Sequence, residues 1–214
     1  IKEAHDLGIR VILDLVPNHS SDLHVWFQEA LKSEPGSKER DRYIFRDGKG
    51  AHGELPPNNW EAVFGGPAWE RVIEKDGKPG QWYLHLFAVE QPDFNWENQE
   101  VWQHFRDIFK FWLDLEFDGF RIDVAHGIWK EKGMPDVDFA AVELLDRHYR
   151  PYWDQEEVHE IHRDWRKITD TYKHDPMLVS EAWAPSDQRI AMYVRPDELH
   201  QSFNFSFLTA LWNG

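Results

Sequence analysis

The stretch "GFRIDVAHG", residues 119–127, decides the fold. It reads as a buried strand running into a Gly-bounded loop, and it carries Arg121 and Asp123 two residues apart. Side chains on a strand alternate between its faces, so this charged pair shares one side, while Val124 points to the other. A barrel or sheet core does not usually hold such a pair, because an ion taken out of water needs a partner and a reason.

Two other apolar runs repeat the arrangement. In "RVILDLV" (10–16) one face carries Ile12, Asp14 and Val16, and in "PMLVSEAW" (176–183) one face carries Val179, Glu181 and Trp183. Each run is of the continuous kind that parallel sheets bury on both faces, and each has an acid near its C-terminal end. Between the runs lie helical patterns. One ends near Gly8, and one over 98–119 spaces Val101, Phe105, Ile108, Phe109, Trp112 and Leu115 at helical intervals. From about Asp136 to Lys173 charge is dense and the reading is outer, solvated helices. "SDQRIAMYV" is a short helix capped by Ser186, and "QSFNFSFL" (201–208) reads as a fourth strand. Helix and strand alternate without hairpins, so the class is α/β with a parallel sheet, doubly wound or closed as a (β/α)8 TIM barrel.

Residues 20–97 break the pattern. They are rich in Gly, Pro, Asn and charge, with short aromatic pieces such as "RYIF" and "QWYLHLF", and read as an irregular subdomain inserted after the first strand of the chain. A loop that long brings its own structure, and it is expected to pack over the mouth of the barrel. The barrel portion is then 1–19 together with 98–214. The chain opens inside a helix and closes just past a strand, so it reads as an internal segment of a longer protein.

Composition narrows the function. The 214 residues include 12 Trp and 14 Phe, enough for one sizeable core, and the formal net charge is -15. Such a surface repels phosphate backbones and anionic lipid, so no nucleic acid and no membrane partner is expected, and a neutral substrate fits better. There is no Cys, hence no disulfide framework and no thiolate metal site. The 12 His raise a metal hydrolase as a rival, but "HEIH" (159–162) lacks the spacing that sets two His one helical turn apart around a Glu, and reads as a solvated helix face. No metal and no cofactor is expected.

In a barrel of parallel strands, polar residues at the C-terminal rim read as catalytic. Arg121 beside Asp123 favours an ionised carboxylate, as a nucleophile requires, while an anionic neighbour would raise the pKa of Glu181, as a proton donor requires. Two acids flanking a sugar–sugar bond are what glycoside hydrolysis uses.

At this point the motifs resemble a known family, the α-amylase superfamily of glycoside hydrolases, and within it the α-glucosidase and oligo-1,6-glucosidase branch. "DLVPNHSSD" is similar to its first conserved region, "GFRIDVAHG" to its second, "SEAW" to its third and "QPDFN" to the signature of its inserted domain. The resemblance covers essentially the whole chain and implies a partial (β/α)8 barrel. It implies Asp123 as nucleophile, Glu181 as general acid/base, and Asp14, His19 and Arg121 as groups that bond the sugar in subsite -1. Phe87 resembles an aromatic wall of that subsite. Asn18 falls at a position that binds calcium in related amylases; here a structural role is expected. The family's fourth region, which holds a third acid, has no counterpart, so this segment alone is expected to be inactive.

The activity so implied is release of glucose from short α-1,4- or α-1,6-linked gluco-oligosaccharides through a covalent glucosyl-enzyme. Within this branch Val after the nucleophile, as at Val124, accompanies α-1,6 activity. Two alternatives stay open: a transglucosylase or isomerase that uses the same intermediate, of the trehalose synthase or sucrose isomerase type, and a non-catalytic barrel of the transporter-ectodomain type, against which the intact acids argue. A cytoplasmic location is the expectation.

Overall fold

The computed structural model describes residues 1–139, 150–208 and 210. Helix α1 (Lys2–Asp6) precedes strand β1 (Leu13–Leu15), and after a long excursion helix α3 (Gln99–Asp114) leads into β5 (Gly119–Ile122). Helix α4 (Val158–Thr169) precedes β6 (Met177–Ser180), and α5 (Asp187–Tyr193) precedes β7 (Gln201–Ser202), with a last turn of helix, α6, at Phe205–Leu208. The four strands form one sheet in the order β1-β5-β6-β7, and all three pairings are parallel. The parallel sheet and the helix between each successive pair of strands are as the sequence predicts.

One face of this sheet is sealed by α3 and α4. Asn98 caps α3 by accepting from Glu100 N, and the helix turns Val101, Phe105, Phe109 and Leu113 inward at helical spacing. Phe109 lies 4.5 Å from Phe120 of β5 and stacks on Trp165 of α4 at 5.2 Å, so the two helices and the sheet share one aromatic core. Arg106 closes the helix pair with two bonds to Asp164, at 2.7 and 3.0 Å. Leu115 does not belong to this face: the helix has ended, and the side chain is exposed. At the start of β5, Gly119 has φ +135°, and a Cβ there would collide with the backbone of Met177 on the neighbouring strand, so only glycine lets the two strands pair.

Two readings of the sequence need correction. Only Gln201–Ser202 of "QSFNFSFL" is strand, and Phe205–Leu208 is helical, because Asn204 caps that turn by accepting from Phe207 N. The stretch from Asp136 to Lys173 is not uniformly solvated: residues 140–149 lie outside the described set, and α4 buries Val158, His159, Ile161, His162, Trp165 and Thr169.

Residues 20–97 contain helix α2 (Val25–Leu31), a 3-10 turn at Arg40–Arg42, and an antiparallel sheet of order β2-β4-β3, made of Phe45–Arg46, Pro79–Leu84 and Trp69–Ile73. Phe27 and Tyr43 meet at 5.0 Å, and Tyr43 stacks on Phe94 at 5.0 Å. This unit rests on the loop that leaves the C-terminal end of β5: Trp60 Nε1 donates to Pro135 O at 2.8 Å, and Asn59 exchanges two bonds with Val137 at 2.8 and 2.7 Å.

Candidate active site

The ladder of the parallel sheet runs on past its strands and delivers the acids. Asp14 pairs in register with Arg121. Asp123 N donates to Leu15 O at 2.8 Å and Glu181 N to Ile122 O at 2.9 Å, so both acids stand on the first residue beyond a strand. Arg121 joins all three carboxylates. Its Nη1 reaches Asp14 Oδ1 at 2.7 Å and Asp123 Oδ1 at 2.5 Å, and its Nη2 reaches Glu181 Oε2 at 2.9 Å. Asp123 and Glu181 thus meet across one guanidinium, close enough for each to shift the titration of the other. Their side chains are 22% and 20% exposed and that of Asp14 is 60% exposed, so the cluster is a wall open to water on one side.

One guanidinium cannot neutralise three carboxylates, and the surplus appears as a pKa shift. Burial first, then the neighbouring Glu181, hold Asp123 up at about 6, against the pull of Arg121. For Glu181 burial acts upward, but the bonds from Asp123, Val124 N and Arg121 outweigh it and hold the group below its ordinary value. The sequence led to the opposite division, with Arg121 keeping Asp123 ionised and Glu181 raised. The difference arises because Arg121 serves both acids and Glu181 gains further donors. Below about pH 6 the two acids form one unit that holds a single proton.

Val124 supplies one of those donors, and here strand parity misleads. The strand has already ended, Val124 lies in the left-handed region at φ +47°, and its N–H points at Glu181 Oε2, 3.2 Å away. A β-branched residue is strained there. Val124 thus faces a cleft that it lines together with Phe87, His126, Trp153, Glu181 and Trp183.

His19 sits beside this wall in a buried polar node. Gln91 Nε2 lies 3.0 Å from its Nε2 and Asn18 Nδ2 lies 3.2 Å from its Nδ1, while burial keeps the ring pKa low and the ring neutral. Phe87 packs against it at 5.1 Å between ring centroids. Asn18 in turn donates to Asp93 Oδ2 at 3.1 Å, and its Oδ1 accepts from Lys130 Nζ at 2.7 Å. Lys130 also meets Asp93 Oδ2 at 2.9 Å and the carbonyl of Gly127. The expected structural role of Asn18 is therefore carried out through a buried ammonium. Lys130 and Asp93 are not singled out by the sequence: Asp93 lies inside "QPDFN", but nothing in "HGIWKEKG" marks Lys130 rather than Lys132 for burial.

The "HEIH" segment also departs from expectation. His159 and His162 are buried because they occupy the inner face of α4. His159 Nδ1 bonds Glu198 Oε2 at 2.7 Å, and the other carboxylate oxygen takes Arg163 at 2.8 Å and Arg195 at 2.6 Å. His159, His162 and Glu198 form a metal-type donor group among the described residues, but the carboxylate is already satisfied by two arginines and a histidine. Burial drives His162 down to about 3, so it is neutral.

Paired acids at the C-terminal rim of a parallel sheet, spanned by an arginine, stand where (β/α)8 barrels place their active sites. The comparisons agree. The catalytic-domain model of alpha amylase matches residues 1–214, so the chain belongs to the α-amylase family. The oligo-1,6-glucosidase of Parageobacillus thermoglucosidasius is 39% identical over 210 residues, covering 97% of this chain and 36% of that protein. The solved trehalose-6-phosphate hydrolase of Bacillus licheniformis superposes with a TM-score of 0.85 at 39% identity, over 99% of this chain and 36% of its own. The solved trehalulose synthase of Pseudomonas mesoacidophila superposes at 0.82 with 31% identity, over 96% of this chain and 35% of its own. The chain thus spans about a third of the length of these relatives. Its fold is that of part of a (β/α)8 barrel, and no described helix is long and apolar enough to cross a membrane.

Proposed function

We propose that the full-length protein is a retaining α-glucosidase acting on short, neutral α-linked gluco-oligosaccharides, with Asp123 as nucleophile and Glu181 as general acid/base. The observation that carries this reading is Arg121 spanning both carboxyls, with Nη1 on Asp123 and Nη2 on Glu181. Two carboxyls held on neighbouring nitrogens of one guanidinium suit the roughly 5–5.5 Å separation of a retaining pair. Asp123 attacks the anomeric carbon as the shared proton passes from Glu181 to the departing oxygen, and Glu181 then takes a proton from water that opens the ester. Asp14, Arg121 and His19 bond the hydroxyls of the glucose being transferred, and Phe87 walls it in. The subdomain at 20–97 closes the donor side of the pocket.

Supporting the substrate class are the net charge of -15 and the oligo-1,6-glucosidase relative. The likeness to a trehalulose synthase keeps glucosyl transfer as a second reading, since water and sugar compete for one intermediate. Incubating the full-length protein with maltose, isomaltose and sucrose in parallel, with NMR of the first products, tests both. Free glucose released as the α-anomer supports hydrolysis with retention. Rearranged or lengthened saccharides support transfer, and β-glucose contradicts the mechanism.

A further inference from the structure

The cleft beyond Glu181 has a built aromatic floor that the assignments above do not use. It is lined by Val124, His126, Trp153 and Glu181, whereas Asp14, His19, Arg121 and Asp123 are not among its walls. The cleft opens beside Glu181, and Phe87, the wall of the transferred glucose, marks its boundary with that subsite. Trp153 is partly exposed there. Its indole lies 4.7 Å from the ring of His126 and 6.3 Å from that of Phe87. Beneath it is Gly127, where a Cβ would stand only 2.8 Å from Trp153 Cε3, too close for any other residue without moving the ring. Gly127 has an ordinary backbone conformation, so the indole together with Val124 Cγ1, 2.7 Å from that Cβ, and not the turn, is what demands a glycine.

The flanking residues fix the ring from both sides. Tyr152 is buried against Trp60 at 4.9 Å. Asp154 accepts from Arg189 Nε at 2.8 Å and from Tyr193 OH at 2.7 Å, both on the helix after β6, and its N–H donates to His126 O at 2.7 Å. A ring that only filled space would not need so many fixed points at a cleft surface. A flat, rigid, partly wetted indole is the kind of surface on which the C–H face of a sugar ring packs, its hydroxyls still reaching water.

We propose that Trp153, seated on Gly127, is the platform for the sugar on the far side of the scissile bond, and so sets which aglycone or acceptor the site takes. This rests on the glucosidase reading above. The test uses the full-length protein and two substrates, isomaltose, which fills the platform, and α-glucosyl fluoride, whose leaving group has no ring. Trp153→Ala is expected to lower kcat/KM for isomaltose roughly tenfold to a hundredfold, while the fluoride changes by less than about twofold. Trp153→Phe, which keeps a smaller ring and the packing on Gly127, should fall between, with a melting temperature near that of the parent. Equal losses on both substrates, or no loss on isomaltose, overturn the platform. A parent protein that turns over neither substrate overturns instead the glucosidase reading beneath it.

Discussion

At the ends of β1, β5 and β6 one guanidinium, Arg121, faces three carboxylates. A few residues further along the same loop one ammonium, Lys130, faces one carboxylate, Asp93, and the amide oxygen of Asn18. The first cluster is short of positive charge and its acids are 20% to 60% exposed. The second is balanced and dry, with side chains 3% and 0% exposed. The surplus of the first is what leaves a proton to be shared between Asp123 and Glu181. The work of the second is to fix Asn18, and through it the loop that carries His19. Charge of one sign in excess at a half-open rim suits chemistry; charge matched in the interior suits architecture.

Substitutions in the two clusters should accordingly fail in different ways. The largest expected effect is that Asp123→Ala, in the full-length protein, lowers hydrolysis by several orders of magnitude for every substrate. Its denaturant midpoint should stay close to that of the parent, since one of three crowded acids is removed. Loss of folding alongside loss of activity would mean that the rim is structural too. Next in size, Lys130→Met should cost about 3–5 kcal/mol of stability, because it leaves Asp93 buried and unpaired. The double variant Lys130→Met with Asp93→Leu should be less damaged than the single one, as read by chemical denaturation. A single variant of near-parental stability would show that the node is not the dry ion pair described.

A smaller effect depends on pH. Asp123 keeps its proton in the folded chain up to about 6, against an ordinary value of 3.8, whereas the unfolded chain releases it earlier. The stabilisation this gives is complete below the ordinary value and is lost as pH rises through about 6. Glu181, held low, has the opposite sign and offsets part of it. Relative to Asp123→Asn, the parent should therefore lose about 1–3 kcal/mol between those limits. A parent that gains stability over that window would mean that neither acid holds a proton there. Glu181→Gln should lower the Asp123 pKa from about 6 by removing its anionic neighbour, but leave it raised because burial, the first cause, persists; carboxyl NMR titration reads the shift.

Much of the rim could be read from residues alone, because strand periodicity places Asp14, Arg121, Asp123 and Glu181 by a rule with few exceptions. The rule fails where the backbone leaves the strand: Val124, one residue past Asp123, adopts a left-handed turn and faces the cleft. Lys130 and Asp93 were illegible for a different reason. Their pairing spans 37 residues of sequence between them and depends on how the 20–97 unit folds back, which no local pattern encodes. His159 and His162 looked solvated because polar residues usually are, yet the inner face of α4 carries them against Glu198 and Tyr193. The division of charge between Asp123 and Glu181 needed the geometry of Arg121, which bonds both.

The stereochemistry of azide rescue tests the roles at the rim most directly. In the full-length protein, Glu181→Ala lacks a base for water but can still form the β-glucosyl-enzyme from an activated aryl α-glucoside. Azide needs no deprotonation, enters on the α face, and should restore turnover with α-glucosyl azide as product. In Asp123→Ala, azide takes the place of the missing carboxylate on the β face and should give β-glucosyl azide. Recovery of the β product from the Glu181 variant and the α product from the Asp123 variant would contradict the assignment and exchange the two roles.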